Sequence, residues 1–165
     1  MLKNKKDHFV PEYESHKHAA VKNHGGVGEY DPLHELSPSE LGREKIVEIK
    51  KWAKLQKSII GALLIGSYAR HEERDDSDID FIFIVEDVEL FVNDQRWIKE
   101  FGTVISSQIE YYKEIVALRV YYHEDYEIEY GLTTKNWLEK PYKEATQQVL
   151  DGPYEVIKKL EQIEL

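Results

Sequence analysis

The run Leu64-Ile65-Gly66-Ser67-Tyr68-Ala69-Arg70, followed by Asp78-Ile79-Asp80-Phe81-Ile82-Phe83-Ile84-Val85, decides how this chain folds. It begins inside a longer apolar stretch, Ile59 to Ile65, whose length and branched residues mark a buried strand. Gly66-Ser67 breaks that strand, and Tyr68 to Glu73 reads as a short helix. Arg74 to Ser77 are polar and turn-like. Asp78 to Val85 is a second strand, apolar except at its entrance. Two buried strands with a helical turn between them set the end of the first beside the mouth of the second.

Working outward, Ser37-Pro38-Ser39-Glu40 is a capping box. Ser37 accepts from the N3 amide, Glu40 reaches back to Ser37, and Pro38 sits at N1, where a missing donor costs nothing. The helix it opens should run to about Lys57, with Leu41, Ile46, Ile49, Trp52 and Ala53 on its apolar face. Downstream, Phe91 to Phe101 has a helical pattern. Thr103 to Tyr112 reads as a polar edge strand. Val116 to His123 and Tyr126 to Leu132 read as strands joined at Glu124-Asp125. Thr134 caps a short helix to Leu138. Asp151-Gly152-Pro153 is a turn, with a strand from Tyr154 to Ile157 after it. The expected class is α+β, a mixed and mostly antiparallel sheet with helices on one face. Residues 1–36 lack an apolar period and hold Lys3, Lys5, Lys6 and five of the seven histidines. They predict an irregular His-rich arm ahead of a domain over 37–165. No histidine pair there has the i, i+4 spacing of a helical zinc motif, and a loosely packed, solvated tail is the expectation.

Composition narrows the function. With 22 basic and 32 acidic side chains the formal charge is −10, which disfavours broad, charge-driven nucleic-acid binding. There are no cysteines, so disulfides, thiolate zinc sites and thiol nucleophiles are excluded. No apolar run approaches the roughly 20 residues of a membrane span, and no signal-peptide pattern is present. A cytoplasmic protein is the expectation.

The chemistry concentrates around Gly66-Ser67 and Asp78-Ile79-Asp80. Amides at the start of a helix can take an anion, Ser67 adds a hydroxyl donor, and Gly66 lets a phosphate approach the backbone. Asp78 and Asp80, two residues apart at a strand mouth, put both carboxylates on one face. Carboxylates so placed repel unless a cation lies between them, and Mg²⁺ takes such oxygens together with phosphate oxygens. A phosphate cradle opposite a metal cradle is a layout for nucleotidyl transfer. Glu127 and Glu129, which share a face of the later strand, are both candidates for a third carboxylate. Glu129 is favoured because the strand continues into Gly131-Leu132 beyond it, while Glu127 lies near the turn.

Each of these residues has a plainer role open to it. Asp78 and Asp80 would serve as a turn-and-cap pair, Gly66-Ser67 as a strand stop and helix cap, and Arg70 as a solvated helix residue. Glu129 would serve as an exposed strand residue. The eleven tyrosines fit mostly as cross-strand packing, and Trp52, Trp97 and Trp137 as core or rim. Glu86, Asp87 and Glu89 read as solvated.

Gly66-Ser67, a helical turn with Arg70, and Asp78-x-Asp80 together resemble the signature of the polymerase-beta-type nucleotidyltransferase superfamily, and within it the aminoglycoside adenylyltransferase-like proteins. The resemblance spans about Ile59 to Leu132. It implies Asp78 and Asp80 as ligands of Mg²⁺ on a triphosphate, and Gly66, Ser67 and Arg70 as nucleotide-binding residues. Glu129 matches the third carboxylate, which helps deprotonate an acceptor hydroxyl. The implied reaction moves a nucleotidyl group, an adenylyl group from ATP, to a small molecule such as an aminoglycoside-like compound. The alternatives are a minimal nucleotidyltransferase antitoxin that adenylylates a helical partner protein, and a non-catalytic nucleotide-binding module. Larger antibiotic adenylyltransferases append a helical domain to form the acceptor pocket. Here about 30 residues follow Leu132. That points to the N-terminal arm, a second copy in a homodimer, or another protein as the source of acceptor contacts.

Overall fold

The computed structural model describes residues 36–161; the His-rich arm lies outside the described residues except for its last position. Helix α1, Pro38–Leu55, starts at Ser37 with both halves of the capping box formed. The Glu40 amide donates to Ser37 Oγ at 3.2 Å, and the Ser37 amide donates to Glu40 Oε1 at 3.0 Å. Its buried positions, Gly42, Ile46, Ile49 and Ala53, recur at three and four residues and form one stripe.

The chain continues through β1, Ile59–Ile65, into the short helix α2, Gly66–Arg70, and then β2, Ile79–Val85. Helix α3, Val88–Asn93, and a 3-10 helix, Arg96–Phe101, precede a hairpin-linked meander. That meander is β3, Val104–Tyr111, β4, Val116–Tyr122, and β5, Tyr126–Thr133. A second 3-10 helix, Lys135–Leu138, helix α4, Glu144–Asp151, and β6, Tyr154–Lys158, complete the described chain. The six strands form one sheet in the order β3-β4-β5-β2-β1-β6. Every pairing is antiparallel except β2 with β5, which is parallel. The expected mixed α+β sheet is what the chain forms.

Period-two alternation divides the sheet into two chemically different faces. Leu64, Phe81, Phe83, Leu118, Val120, Ile128 and Tyr130 point to the large core under α1, α3 and the first 3-10 helix. Leu63, Ile65, Ile82 and Ile84 point the other way, into a smaller cluster with Ile115, Trp137 and Leu138. Val149 and Leu150 of α4 pack on that second cluster. The main helices therefore share one face, as the sequence predicts, and the C-terminal segment caps part of the other. Helix α4 is an element that the sequence pattern did not disclose: only eight residues long, it buries Thr146, whose hydroxyl donates to the Trp137 carbonyl at 2.9 Å.

The helix expected over Phe91 to Phe101 is split. Asp94 has extended backbone at φ −120° and ψ 100°. Its carboxylate takes the Arg96 amide at 3.2 Å and the Arg96 guanidinium at 2.6 Å, so a local side-chain bond displaces a helical turn. Tyrosine hydroxyls then hold the 3-10 helix down. Tyr122 donates to the Ile98 carbonyl at 2.8 Å, and Tyr126 donates to that of Phe101. Trp52 and Trp97 stack at 5.5 Å on the rim of this core.

Helix α1 also fixes the start of α2. Gly42 faces the Tyr68 ring so closely that a side chain there would overlap its hydroxyl. Arg43 donates to the Tyr68 carbonyl at 2.8 Å and pairs with Glu73 at 2.6 Å. The short helix that follows the bend at Gly66-Ser67 is thus held against α1.

Ile49 is wholly buried, whereas Val47 on the same helix is half exposed. Ile49→Ala should lower unfolding stability by about 2–4 kcal/mol, and Val47→Ala by less than about 0.5 kcal/mol. Urea denaturation of the two variants checks the assignment of the buried stripe, and equal losses would contradict it.

Candidate active site

The second face of the sheet carries the acids. Asp80 is the second residue of β2 and pairs with Glu129 of β5 across the parallel seam. Its other neighbour is Ile65, the last residue of β1, which leads directly into Gly66. Asp78 lies just before β2, after a turn closed by the Ser77 amide on the Arg74 carbonyl at 3.0 Å. Asp78, Asp80 and Glu129 are each no more than 3% exposed. One carboxylate oxygen from each lies within 4.8 Å of those of the other two.

Three carboxylates this close in a dry site repel one another. At about 5 Å and an effective dielectric near 20, each like-charged pair costs about 3–4 kcal/mol. Hard oxygen donors in a tight group are what a divalent cation such as Mg²⁺ takes. Glu129 Oε2 has no hydrogen-bond partner among the described residues, which leaves an oxygen for such an ion. The donor set therefore fits a divalent cation such as Mg²⁺, which Asp78, Asp80 and Glu129 could hold.

Gly66 meets this cluster at close range. Its φ is +76°, a left-handed value that glycine adopts without a steric cost. A Cβ at this position would lie 2.5 Å from Asp80 Oδ2. The bend and the acid thus share one small volume, with half-exposed Ser67 next in the chain. Arg70 is placed differently. It is exposed at the end of α2 and its Nε donates to Glu72 Oε1 at 3.0 Å.

The two glutamates of β5 part company in the structure. Glu129 joins the aspartates, while Glu127 is not a member of that group of three. Between them and the edge of the sheet lies Arg119 of β4, wholly buried and directly opposite Glu129 in register. Its Nε donates to Glu129 Oε1 at 2.9 Å, and Nη2 is 2.7 Å from the same oxygen. Nη2 also lies 3.0 Å from Glu110 Oε1 of β3, and Nε lies 3.7 Å from Glu127 Oε2. Burial works against the guanidinium charge, but Glu129, Glu110 and Glu127 outweigh it and hold its pKa above the ordinary value. Burial pushes the Glu129 carboxyl above its usual range; Arg119 opposes that rise, while Asp78 and Glu110 add to it.

Neither Arg119 nor Glu110 stands out from the sequence motifs. The available signal was a lone cation inside the apolar run Val116-Ala117-Leu118-Arg119-Val120, since a charge in a buried strand needs partners. Which acids it meets is a matter of strand order.

With the geometry in place, comparison with known proteins gives the class. The family model of streptomycin adenylyltransferase matches residues 41–152, more than half of the chain. The chain belongs to that family. No match was found among curated proteins. Among solved structures, an aminoglycoside 6-adenyltransferase from Bacillus subtilis is 17% identical with a TM-score of 0.48. That alignment covers 58% of this chain and 35% of that one. A structure of the GLD-2/RNP-8 complex is also 17% identical, with a TM-score of 0.39, over 73% of this chain and 48% of that one. The chain thus spans about a third to a half of the length of these two structures. Among the described residues no helix is long and apolar enough to cross a membrane.

Gly66→Ala should cost about 1–3 kcal/mol, because it puts a Cβ in the left-handed region and against Asp80. Ser67→Ala, one residue on and half exposed, should stay within about 0.5 kcal/mol of the parent. Chemical denaturation distinguishes the two, and a Gly66→Ala protein as stable as the parent would contradict the close approach.

Proposed function

We propose that this protein is a divalent-cation-dependent nucleotidyltransferase that moves an adenylyl group from ATP to a hydroxyl of a small, aminoglycoside-like molecule and releases pyrophosphate. The observation that carries the reading is the convergence of Asp78, Asp80 and Glu129 within 4.8 Å of one another, with Gly66 packed against Asp80. Family membership supports adenylyl transfer, and streptomycin, the substrate for which the family is named, supports a hydroxylated, cationic acceptor.

The roles follow from the chemistry of each group. A bound Mg²⁺ would neutralise charge on the triphosphate and ease ionisation of the attacking hydroxyl. Gly66 gives the triphosphate room to reach the backbone of the bend, and Ser67 offers a hydroxyl donor beside it. Arg70, at the outer end of α2, would release Glu72 to reach a phosphate. Glu129, with Oε1 held by Arg119, has Oε2 for the acceptor proton or for the cation. The acceptor oxygen forms a bond to the α-phosphorus, and the bond from that phosphorus to the bridging oxygen breaks. The bonding electron pair leaves with pyrophosphate, and the acceptor proton passes to a carboxylate of the trio. Burial of the trio keeps competing water away from the reacting phosphorus. The described residues after Leu132 fold back onto the sheet as a 3-10 helix, α4 and β6.

Pyrophosphate release with ATP, Mg²⁺ and a panel of aminoglycosides tests the reading. Asp78→Ala and Asp80→Ala should each lower turnover by at least about a hundredfold with the circular dichroism spectrum intact. Turnover that survives the double change sinks the assignment, and ATP binding without release by the parent favours the non-catalytic module.

Removing one acid should also change how the protein responds to metal. In EDTA, Asp80→Asn should melt at or above the parent, because one source of repulsion is gone. Adding Mg²⁺ should raise the parent's melting temperature and leave that of Asp80→Asn nearly unchanged. A parent that ignores Mg²⁺ would count against the metal site.

A further inference from the structure

We propose that Arg119 is a positioning residue for the third carboxylate: it fixes Oε1 of Glu129, so that Oε2 is the oxygen presented to the divalent cation. The inference rests on the reading of Asp78, Asp80 and Glu129 as the cation site. Arg119 reaches Glu129 from the neighbouring strand and places two of its nitrogens, at 2.9 and 2.7 Å, on the same carboxylate oxygen. The guanidinium is itself held from the far side. Glu110 Oε1 of edge strand β3 lies 3.0 Å from Nη2 in an ion pair, and Tyr112 donates to the same Glu110 oxygen at 3.4 Å. Glu127 lies 3.7 Å from Nε. A planar fork gripped by acids from both neighbouring strands has little rotational freedom.

Glu129 needs such a hold. Repulsion from Asp78 and Asp80 acts on a side chain with three rotatable bonds, and without a restraint the favourable response is to swing away. One oxygen tied to Arg119 leaves Oε2, which has no hydrogen-bond partner among the described residues, on the carboxylate that approaches the aspartates. Partners of this kind, behind a metal ligand, are typically worth about 10- to 100-fold in metal affinity or activity.

Two simpler roles for Arg119 make opposite forecasts. If it served only as a positive charge, lysine would replace it without loss, and removing the charge would tighten cation binding by reducing repulsion. If it served only to fill the strand, its effect on metal would not depend on Glu129. Positioning alone requires the fork, and requires it through Glu129.

The test is a titration with Mn²⁺ alone, followed by electron paramagnetic resonance, on the full chain, with circular dichroism confirming the fold. Arg119→Lys is the working variant, since Arg119→Met strands the buried carboxylates of Glu110 and Glu129 and invites unfolding. Arg119→Lys should weaken Mn²⁺ binding by about 10-fold or more in the parent background and add no further loss to Glu129→Gln. Arg119→Lys that binds Mn²⁺ as the parent does, or that loses affinity equally in the Glu129→Gln background, overturns the proposal. Asp80→Asn separates this failure from a failure of the underlying reading. If Asp80→Asn abolishes Mn²⁺ binding while Arg119→Lys keeps it, only the positioning role falls. If the parent binds no Mn²⁺, or Asp80→Asn binds it equally well, the cation site and this inference fall together.

Discussion

The parallel seam between β2 and β5 is the contact on which the site depends. It sets Asp80 beside Glu129 in register, and among the described residues it is the one parallel pairing in an otherwise antiparallel sheet. A parallel neighbour cannot be reached by a tight turn; the chain must travel out and return. Here the excursion from Val85 to Tyr126 is spent on α3, a 3-10 helix and the strands β3 and β4. The detour that makes the seam possible also delivers Arg119 and Glu110 to its flank. Carboxylate convergence and the buried cation that meets it are products of one topology.

Alternation along the strands keeps two demands apart. Phe81 and Phe83 of β2, Ile128 and Tyr130 of β5, and Leu118 and Val120 of β4 are committed to the core beneath α1. Asp80, Glu129 and Arg119, interleaved with them, face the other way. Hydrophobic burial on the first face is strong enough to hold charged groups in place on the second. Aromatic contacts reinforce this: Tyr130 meets Phe81, Phe83 and Trp97 within 6.1 Å, directly behind Glu129 in the chain. The small cluster around Trp137 and Leu138 closes part of the second face.

Much of this was readable in the residues, for identifiable reasons. Ser37-Pro38-Ser39-Glu40 encodes its helix start locally, and Gly66-Ser67 and Asp78-x-Asp80 announce a bend and a strand mouth within a few residues. The hairpin at Glu124-Asp125 is local too, and Asp125 adopts a left-handed φ of 69° there. What escaped depends on competition or distance. Asp94 ends α3 through a bond to Arg96 that periodicity does not register. Helix α4 is short, and its burial is decided by Trp137. The Arg119 network joins β3, β4 and β5, so its membership follows from strand order rather than from spacing. Glu129 and Glu127 look alike two residues apart; proximity to Asp78 and Asp80 separates them.

A buried guanidinium in the middle of β4 also constrains how the sheet can assemble. A shift of one position along that strand would turn Arg119 toward Ile128 and Tyr130, and would send an aliphatic neighbour out among the acids. Such a mispaired ribbon would carry an uncompensated ion in hydrocarbon and leave Glu110, Glu127 and Glu129 crowded without a counter-charge. The same side chain that holds Glu129 therefore penalises misaligned versions of the meander, so that a molecule that has closed its sheet correctly has also built its charge pattern.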